Sequence, residues 1–314
     1  MAGKIIAVTG ATGQQGAGLV RAILDDPDGG FAVRAVTRNP GSDKAKALAD
    51  LGAEVVQAEL DDQASIEKAF AGAYGAFCLT NYWEHFSPQK ETTQAGNLAR
   101  AAKVSGVQHA IWSTLEDTRK KVPLESDQMP TLMEHYKVPH LDAKGEADEL
   151  FADLGVPTTW YLTSFYYDNF IYFGMGPKPG LDGKLAISLP MGHAKLAAIA
   201  AEDIGRCAYG IFKAGPKYIG KTVGVAGSHM TVAEMAQSFT KVLGQEVVYN
   251  EVTPEAYRGF GFPGADDLGN MFQYFRDFAD EFCAARSLDE SRALNPQLMT
   301  FDVWLAANKD RIPL

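Results

Sequence analysis

The chain has 314 residues, 46% apolar and 22% charged, with 29 basic against 39 acidic side chains and a net charge of −10. This is a globular composition that excludes a disordered chain; the length fits one large or two small domains, and the acidic balance argues against direct binding to a nucleic-acid backbone. No run approaches the ~20 apolar residues of a membrane span, and the start, MAGKIIAVTG, lacks the charged head and cleavage site of a signal peptide.

The three cysteines, Cys78, Cys207 and Cys283, form no Cys-x-x-Cys pair and are expected to be buried apolar residues, which fits a reducing, cytoplasmic location, with access to the nucleus open in a eukaryote. The six histidines form no His-x-x-x-His pair, so no metal site is expected.

In chain order, Lys4–Thr9 reads as a buried strand and Gln15–Asp25 as a helix. Phe31–Thr37 is the second strand, Ser42–Leu51 the second helix, Glu54–Ala58 the third strand and Gln63–Phe70 the third helix. Gly75–Leu79 is a strand, Gln89–Ser105 a long helix, His109–Ser113 a strand, Ala143–Leu154 a helix and Thr158–Leu162 a sixth strand. Strands alternating with helices at this spacing form βαβ units. The fold class is therefore α/β, a Rossmann-type doubly wound parallel sheet over residues 1–162, with a smaller α+β region, 163–314, contributing back to the sheet.

Glu116–Pro139, with Pro123, Pro130 and Pro139, is too long for an ordinary connection; it reads as a surface loop or lid, or as a disordered insertion without a function. Beyond Leu162 come a turn-rich Gly174–Gly183, a helix Glu202–Phe212, a strand Val223–Ala226, a helix Thr231–Leu243 with a Thr231/Glu234 capping box, a strand Glu246–Tyr249, a helix opening at Pro254 and a helix Ala265–Cys283.

The sharpest motif is Val8-Thr9-Gly10-Ala11-Thr12-Gly13-Gln14-Gln15-Gly16, a strand running through three spaced glycines into a helix. Glycines permit the tight turn, let backbone N–H groups approach a pyrophosphate and bring helix against strand, while the helix N-terminus offers partial positive charge. The second strand ends Val36-Thr37-Arg38-Asn39, with no carboxylate for a ribose 2′-hydroxyl. Arg38 stands where a 2′-phosphate would lie, and Lys44 adds charge, so NADP(H) is favoured over NAD(H). After the third strand, Leu60-Asp61-Asp62 lies where an adenine would sit; Asp61 or a backbone group is placed to accept its amine proton, and Asp61 or Asp62 to cap a helix. Thr80-Asn81-Tyr82 ends the fourth strand on the ribose side. The aromatic run Trp160, Tyr161, Phe165, Tyr166, Tyr167, Phe170, Tyr172, Phe173 reads mostly as packing, with a wet edge at Asp168 and Asn169.

These strings, together with Pro40, Gly52-Ala53-Glu54-Val55-Val56-Gln57, Trp83-Glu84, Lys144-Gly145-Glu146, Gly155-Val156-Pro157 and Gly261-Phe262-Pro263-Gly264-Ala265, resemble the NmrA-like family of atypical short-chain dehydrogenases, most closely its HSCARG-type, NADP(H)-sensing branch. The resemblance runs from Lys4 to about Ile312. It implies a cofactor site of Gly10, Thr12, Gly13, Gln14, Gln15 and Gly16, with Arg38 and Asn39 at the phosphate and Leu60 and Asp61 at the adenine. It places Thr80, Asn81 and Tyr82 along the ribose, Lys144 at the nicotinamide ribose, and Tyr166, Tyr167 and Asn169 over the nicotinamide. The Glu116–Pro139 stretch is longer than that branch carries.

An active short-chain dehydrogenase uses Tyr-x-x-x-Lys; here the lysine position is Lys144, Ser113 keeps the serine position, and His140 stands where the tyrosine would be. The missing tyrosine favours a regulatory NADP(H) sensor without turnover, acting through a protein partner and a possible homodimer. The alternative is a reductase in which Lys144, or His140, handles the proton.

Overall fold

The computed structural model describes residues 3–180 and 183–314. Part of the turn-rich Gly174–Gly183 segment and the first two residues of the chain lie outside the described residues. The strands are β1 Lys4–Val8, β2 Phe31–Thr37, β3 Glu54–Gln57, β4 Gly75–Cys78, β5 His109–Thr114, β6 Thr158–Leu162, β7 Phe165–Tyr166, β8 Lys178–Pro179, β9 Leu185–Ile187, β10 Lys195–Ile199, β11 Thr222–Gly224, β12 Ser228–Thr231 and β13 Val247–Tyr249. The helices up to the residues that matter below are α1 Gln14–Leu24, α2 Asp43–Asp50, α3 Gln63–Phe70, α4 Pro88–Val104, α5 Pro139–Glu146, α6 Asp148–Asp153, α7 Asn169–Tyr172, α8 Ala201–Lys213, α9 Val232–Leu243, α10 Pro254–Arg258 and α11 Ala265–Asp277.

The main sheet has seven parallel strands in the order β11-β6-β5-β4-β1-β2-β3. Its central strand shows why it is doubly wound. Ile6 and Val8 enter one apolar layer with Leu19 and Ile23 of α1 and Ile204 and Ile211 of α8, while Ala7 enters the opposite layer with Ile66 and Phe70 of α3 and Leu98 and Ala102 of α4. A strand covered on both faces carries apolar residues at consecutive positions, as KIIAV does. Val8 lies beside Ala35 of β2 on one side and Phe77 of β4 on the other, so the chain reverses winding direction at β1. The crevice at such a reversal opens at the C-terminal ends of the strands, where ligands of these folds bind.

Residues beyond 162 complete this sheet: β11 pairs with β6, and α8 packs on α1. At that contact a Cβ on Gly205 would stand 2.0 Å from the Leu19 nitrogen, so only glycine lets the helices meet. The remaining strands form two small sheets, β12-β10-β7 and β13-β9-β8, over a separate apolar cluster. Thr231 and Glu234 form the full capping box at the start of α9, and Pro254 opens α10.

Two helices expected as single elements are divided. The Ala143–Leu154 pattern belongs to α5 and α6, and α5 begins earlier because Pro139 occupies its first turn with φ already set for a helix. The Ala265–Cys283 pattern breaks at Phe278, whose backbone leaves the helical region after α11.

The Glu116–Pro139 segment is pinned to the body at several points. Val122 and Met129 lie in the C-terminal apolar cluster. Asp142 accepts from the backbone N–H groups of Thr118, Lys137 and Val138, and Asn270 donates to the carbonyls of Pro130 and Lys137. Buried Lys137 donates through Nζ to the carbonyls of Ser126 and Met129. Among the described residues all three cysteines are free thiols, with Cys78 and Cys207 buried and Cys283 half-buried, and no helix is long and apolar enough to cross a membrane.

Candidate functional site

A cavity of about 1320 Å³ opens over the ends of β1, β4, β5 and β6. Its floor is the glycine turn. Gly10 has φ +63°, a conformation that favours glycine, and the Gly13 N–H donates to its carbonyl. Gly16 does not line the cavity: a Cβ there would stand 2.4 Å from the Gly10 oxygen, so this glycine permits the turn to fold back on α1.

Helix α1 differs from its neighbours at its N-terminus. Ser42, Asp62 and Ser87 cap α2, α3 and α4 with side-chain oxygens, whereas Gly13 offers α1 no side-chain cap and its first turn holds no acid. The first N–H groups of α1 therefore face the cavity available to an anion. Gln14 and Ser164 also line the cavity, with Gln14 Oε1 and Ser164 Oγ themselves sealed and without a protein partner among the described residues. An uncapped helix N-terminus at the floor of the cavity fits a ligand with a phosphate spine. Thr12 completes the turn.

Arg38, Asn39 and Lys44 stand together at one end of the cavity. The Arg38 guanidinium is ion-paired with Glu84 across the mouth, and both side chains are exposed. Asn39 spends its Oδ1 on the Gly41 N–H. Leu60 and Asp61 line the adjacent wall. Asp61 accepts from Gln94 at 2.9 Å and pairs with Lys90 at 2.9 Å; these two bonds, Gln94's first, hold its carboxyl below the usual range. The α3 cap is Asp62, which leaves Asp61 to the cavity.

The other end is built on a buried ion pair. Lys144 Nζ lies 2.7 Å from Glu91 Oε1 and donates to Thr80 Oγ1 at 2.7 Å and to the Thr80 carbonyl at 3.2 Å. Thr80 Oγ1 donates in turn to Glu91 at 2.6 Å, and His85 Nε2 lies 3.3 Å from the other Glu91 oxygen. Burial pushes the Glu91 carboxyl up, but the Lys144 charge, the nearby His85 ring and the Thr80 hydrogen bond outweigh it and hold the group at about 2. Asn81 and Tyr82 follow Thr80 into the cavity wall, Tyr82 with its ring largely buried.

Across the cavity, Gln15 bridges two elements: Ser113 Oγ donates to its Oε1 at 2.8 Å, and its Nε2 donates to the Tyr166 hydroxyl at 2.5 Å. Tyr166 and Asn169 line the cavity as expected from their place in the chain. Tyr167 does not. Strand alternation turns it to the opposite side, where its ring packs against Phe301 and Trp304 and its hydroxyl bonds Ser228 at 2.7 Å. The expectation that it closes over a nicotinamide is corrected accordingly: Tyr167 is a core residue. Tyr167→Ala is expected to destabilise the fold by about 3–5 kcal/mol, as other large-to-small aromatic core changes do, with unchanged nucleotide affinity in the folded fraction. A denaturation curve together with a binding isotherm checks both parts.

Two partners were not legible in the sequence reading. Glu91 sits on the buried stripe of α4 with Ala95, Leu98 and Ala102, and a carboxylate at a core-facing helical position was the available signal. Asp267, in the first turn of α11, binds His140 at 2.6 Å through Nδ1, and no local pattern links residues so far apart in the chain.

The sequence pattern described as the NmrA-like family matches residues 2–305. Among curated proteins, the NmrA-like family domain-containing oxidoreductase FrzB of a Cladobotryum species is 29% identical over 288 residues, which is 86% of this chain and 83% of that protein. Among solved structures, the negative transcriptional regulator NmrA in complex with NADP superposes with a TM-score of 0.78 at 24% identity, covering 98% of this chain and 95% of that one. The triphenylmethane reductase of a Citrobacter species, complexed with NADP(H), gives 0.76 at 22% identity, covering 96% of this chain and 99% of that one. The two structures share the fold, and the match over nearly the whole length establishes that the chain belongs to the NmrA-like family.

Proposed function

We propose that this protein is an NADP(H)-dependent reductase. The observation that carries the reading is the size and mixed lining of the cavity. About 1320 Å³ exceeds the roughly 300–1,000 Å³ of a single-ligand pocket, and beyond the polar groove lies an apolar lobe walled by Trp83, Tyr257, Phe262, Leu268, Met271 and Phe275. The FrzB relative is named an oxidoreductase, and the Citrobacter neighbour is a reductase complexed with NADP(H).

The bound cofactor supplies a hydride. The chain's own residues do the rest: the α1 N-terminus holds the pyrophosphate, Arg38 and Lys44 select the 2′-phosphate, and Thr80, Asn81 and Lys144 hold the nicotinamide ribose. Lys144 Nζ donates to both Thr80 oxygens and is ion-paired with Glu91, which fixes its charge beside the ribose.

A regulatory reading, in which NADP(H) occupancy shifts a homodimer or a protein partner as in the sensing branch, is favoured by the absent catalytic tyrosine and by likeness to the regulator NmrA. Such a shift requires different affinities for two states of the protein. Absorbance-monitored NADPH oxidation with small quinones, aldehydes and enones separates the readings. Steady turnover, lost in Lys144→Ala, supports the reductase; saturable NADPH binding with no turnover, accompanied by a change in dimer population, replaces it with the regulator.

A further inference from the structure

Lys144 Nζ is held by Thr80 and Glu91, and an imidazole on the same cavity stands as a second source for the proton that accompanies a reduction. His140, in the first turn of α5, borders the cavity with its ring 4.7 Å from that of Trp83, centroid to centroid. Its Nδ1 lies 2.6 Å from Asp267 Oδ1, and its backbone N–H donates to Asp267 Oδ2 at 3.2 Å. Both side chains are almost completely buried. The carboxylate is acceptor-only, so its contact with the ring fixes the proton on Nδ1 and leaves Nε2 as the working nitrogen. Among the described residues Nε2 has no protein partner, and it is not among the polar atoms sealed from solvent. An oriented imidazole with one nitrogen anchored to a carboxylate and the other open to a ligand chamber is the arrangement of a general acid–base group.

We propose that His140 is the proton-exchanging residue of this site, that Asp267 is its positioning residue, and that the acceptor is a planar apolar conjugated carbonyl compound seated in the adjoining aromatic lobe. The proposal rests on the reductase reading for its chemical step. The lobe dictates the substrate class: its walls offer ring faces and methionine, and Phe86, Phe173, Phe260 and Phe262 are exposed apolar side chains bordering the same cavity. A two-electron reduction of such a compound adds one hydride to carbon, drawn from the reduced nicotinamide, and one proton to the carbonyl oxygen. The proton leaves Nε2 of the imidazolium as the O–H bond forms. The ring returns to its neutral form with Nδ1–H still on Asp267, and solvent restores the lost proton.

The test uses the full-length protein labelled with 15N-histidine and loaded with NADP⁺. 2-Naphthol serves as a planar probe whose hydroxyl resembles the reduced product. The expected result is a protonated Nδ1 on His140 and an Nε2 signal that moves when 2-naphthol binds. Asp267→Asn must present its single carbonyl to the backbone N–H and its amide to Nδ1, which moves the ring proton to Nε2 and weakens 2-naphthol binding about two- to tenfold. His140→Gln, which keeps a polar side chain, gives the same loss of binding while NADP⁺ affinity is retained, and lowers kcat on 1,4-naphthoquinone with KM for NADPH unchanged. An unprotonated Nδ1 in the unmodified protein, an Nε2 signal indifferent to 2-naphthol, or turnover unaffected by His140→Gln overturns the proposal. A protein that oxidises no NADPH yet shows the Nε2 response overturns the reductase reading and with it the proton step, and leaves His140 and Asp267 as a binding pair for a hydroxyl in the lobe.

Discussion

Arg38→Asp narrows or reverses the preference for NADP(H) over NAD(H). A charge-assisted contact to the 2′-phosphate is worth about 1.5–3 kcal/mol, or roughly ten- to hundredfold in affinity. The unmodified chain carries no acid at the end of β2 to accept from a ribose hydroxyl, and its guanidinium and the Lys44 ammonium border one end of the cavity. The aspartate repels the phosphate and supplies the missing acceptor for the hydroxyl. Glu84 adds a refinement visible only in three dimensions. It holds Arg38 across the mouth, so NADP(H) must displace a carboxylate to gain the guanidinium. Glu84→Gln removes the competitor and tightens NADP(H) binding, by less than the Arg38 effect because both side chains are exposed and screened. Calorimetric titration of the three proteins with each of the four nucleotides decides the matter; equal binding of NAD⁺ and NADP⁺ to the unmodified protein contradicts the assignment of Arg38.

Glu91→Leu costs about 3–5 kcal/mol of stability, because it strands the buried Lys144 ammonium without its counter-charge. Replacing both partners, as Glu91→Leu with Lys144→Met, recovers much of the loss, since a well-packed apolar pair avoids the desolvation of two ions. The double variant also loses the ribose-holding charge, so stability and nucleotide binding part company. Denaturant midpoints for the single and double variants measure the effect. A single-variant loss below about 1 kcal/mol would mean that the pair is solvated and that Lys144 is free to move.

Much of the nucleotide half was legible because its signals are local. A glycine-rich turn between a buried strand and a helix declares itself in nine consecutive residues, and the missing acid at Arg38 is read at a single position. The doubly wound sheet followed from apolar runs such as KIIAV, which only a strand covered on both faces explains. Tyr167 and Tyr166 show where that reading stops. They are adjacent and chemically alike, and only the alternation of β7 and its continuation decides that Tyr166 meets Gln15 at the cavity while Tyr167 meets Phe301 and Trp304 in the core. The apolar side of the cavity and the His140–Asp267 contact were hidden for a different reason. They are made when α11, from the far end of the chain, packs against α5, and no spacing in the sequence encodes that approach. The Glu116–Pro139 segment has the composition of a free loop, yet its buried anchors at Val122, Met129 and Lys137 tie it to the same helix pair.

A crystal structure of the NADP⁺ complex shows whether the cavity over the glycine turn takes NADP(H) and leaves an apolar lobe beside it for a substrate. The expected complex has the pyrophosphate on the uncapped N-terminus of α1, Arg38 released from Glu84 onto the 2′-phosphate, the nicotinamide end at Lys144, and the lobe beyond His140 still open. A dinucleotide bound elsewhere, or one whose nicotinamide fills the lobe while Arg38 stays on Glu84, would contradict it.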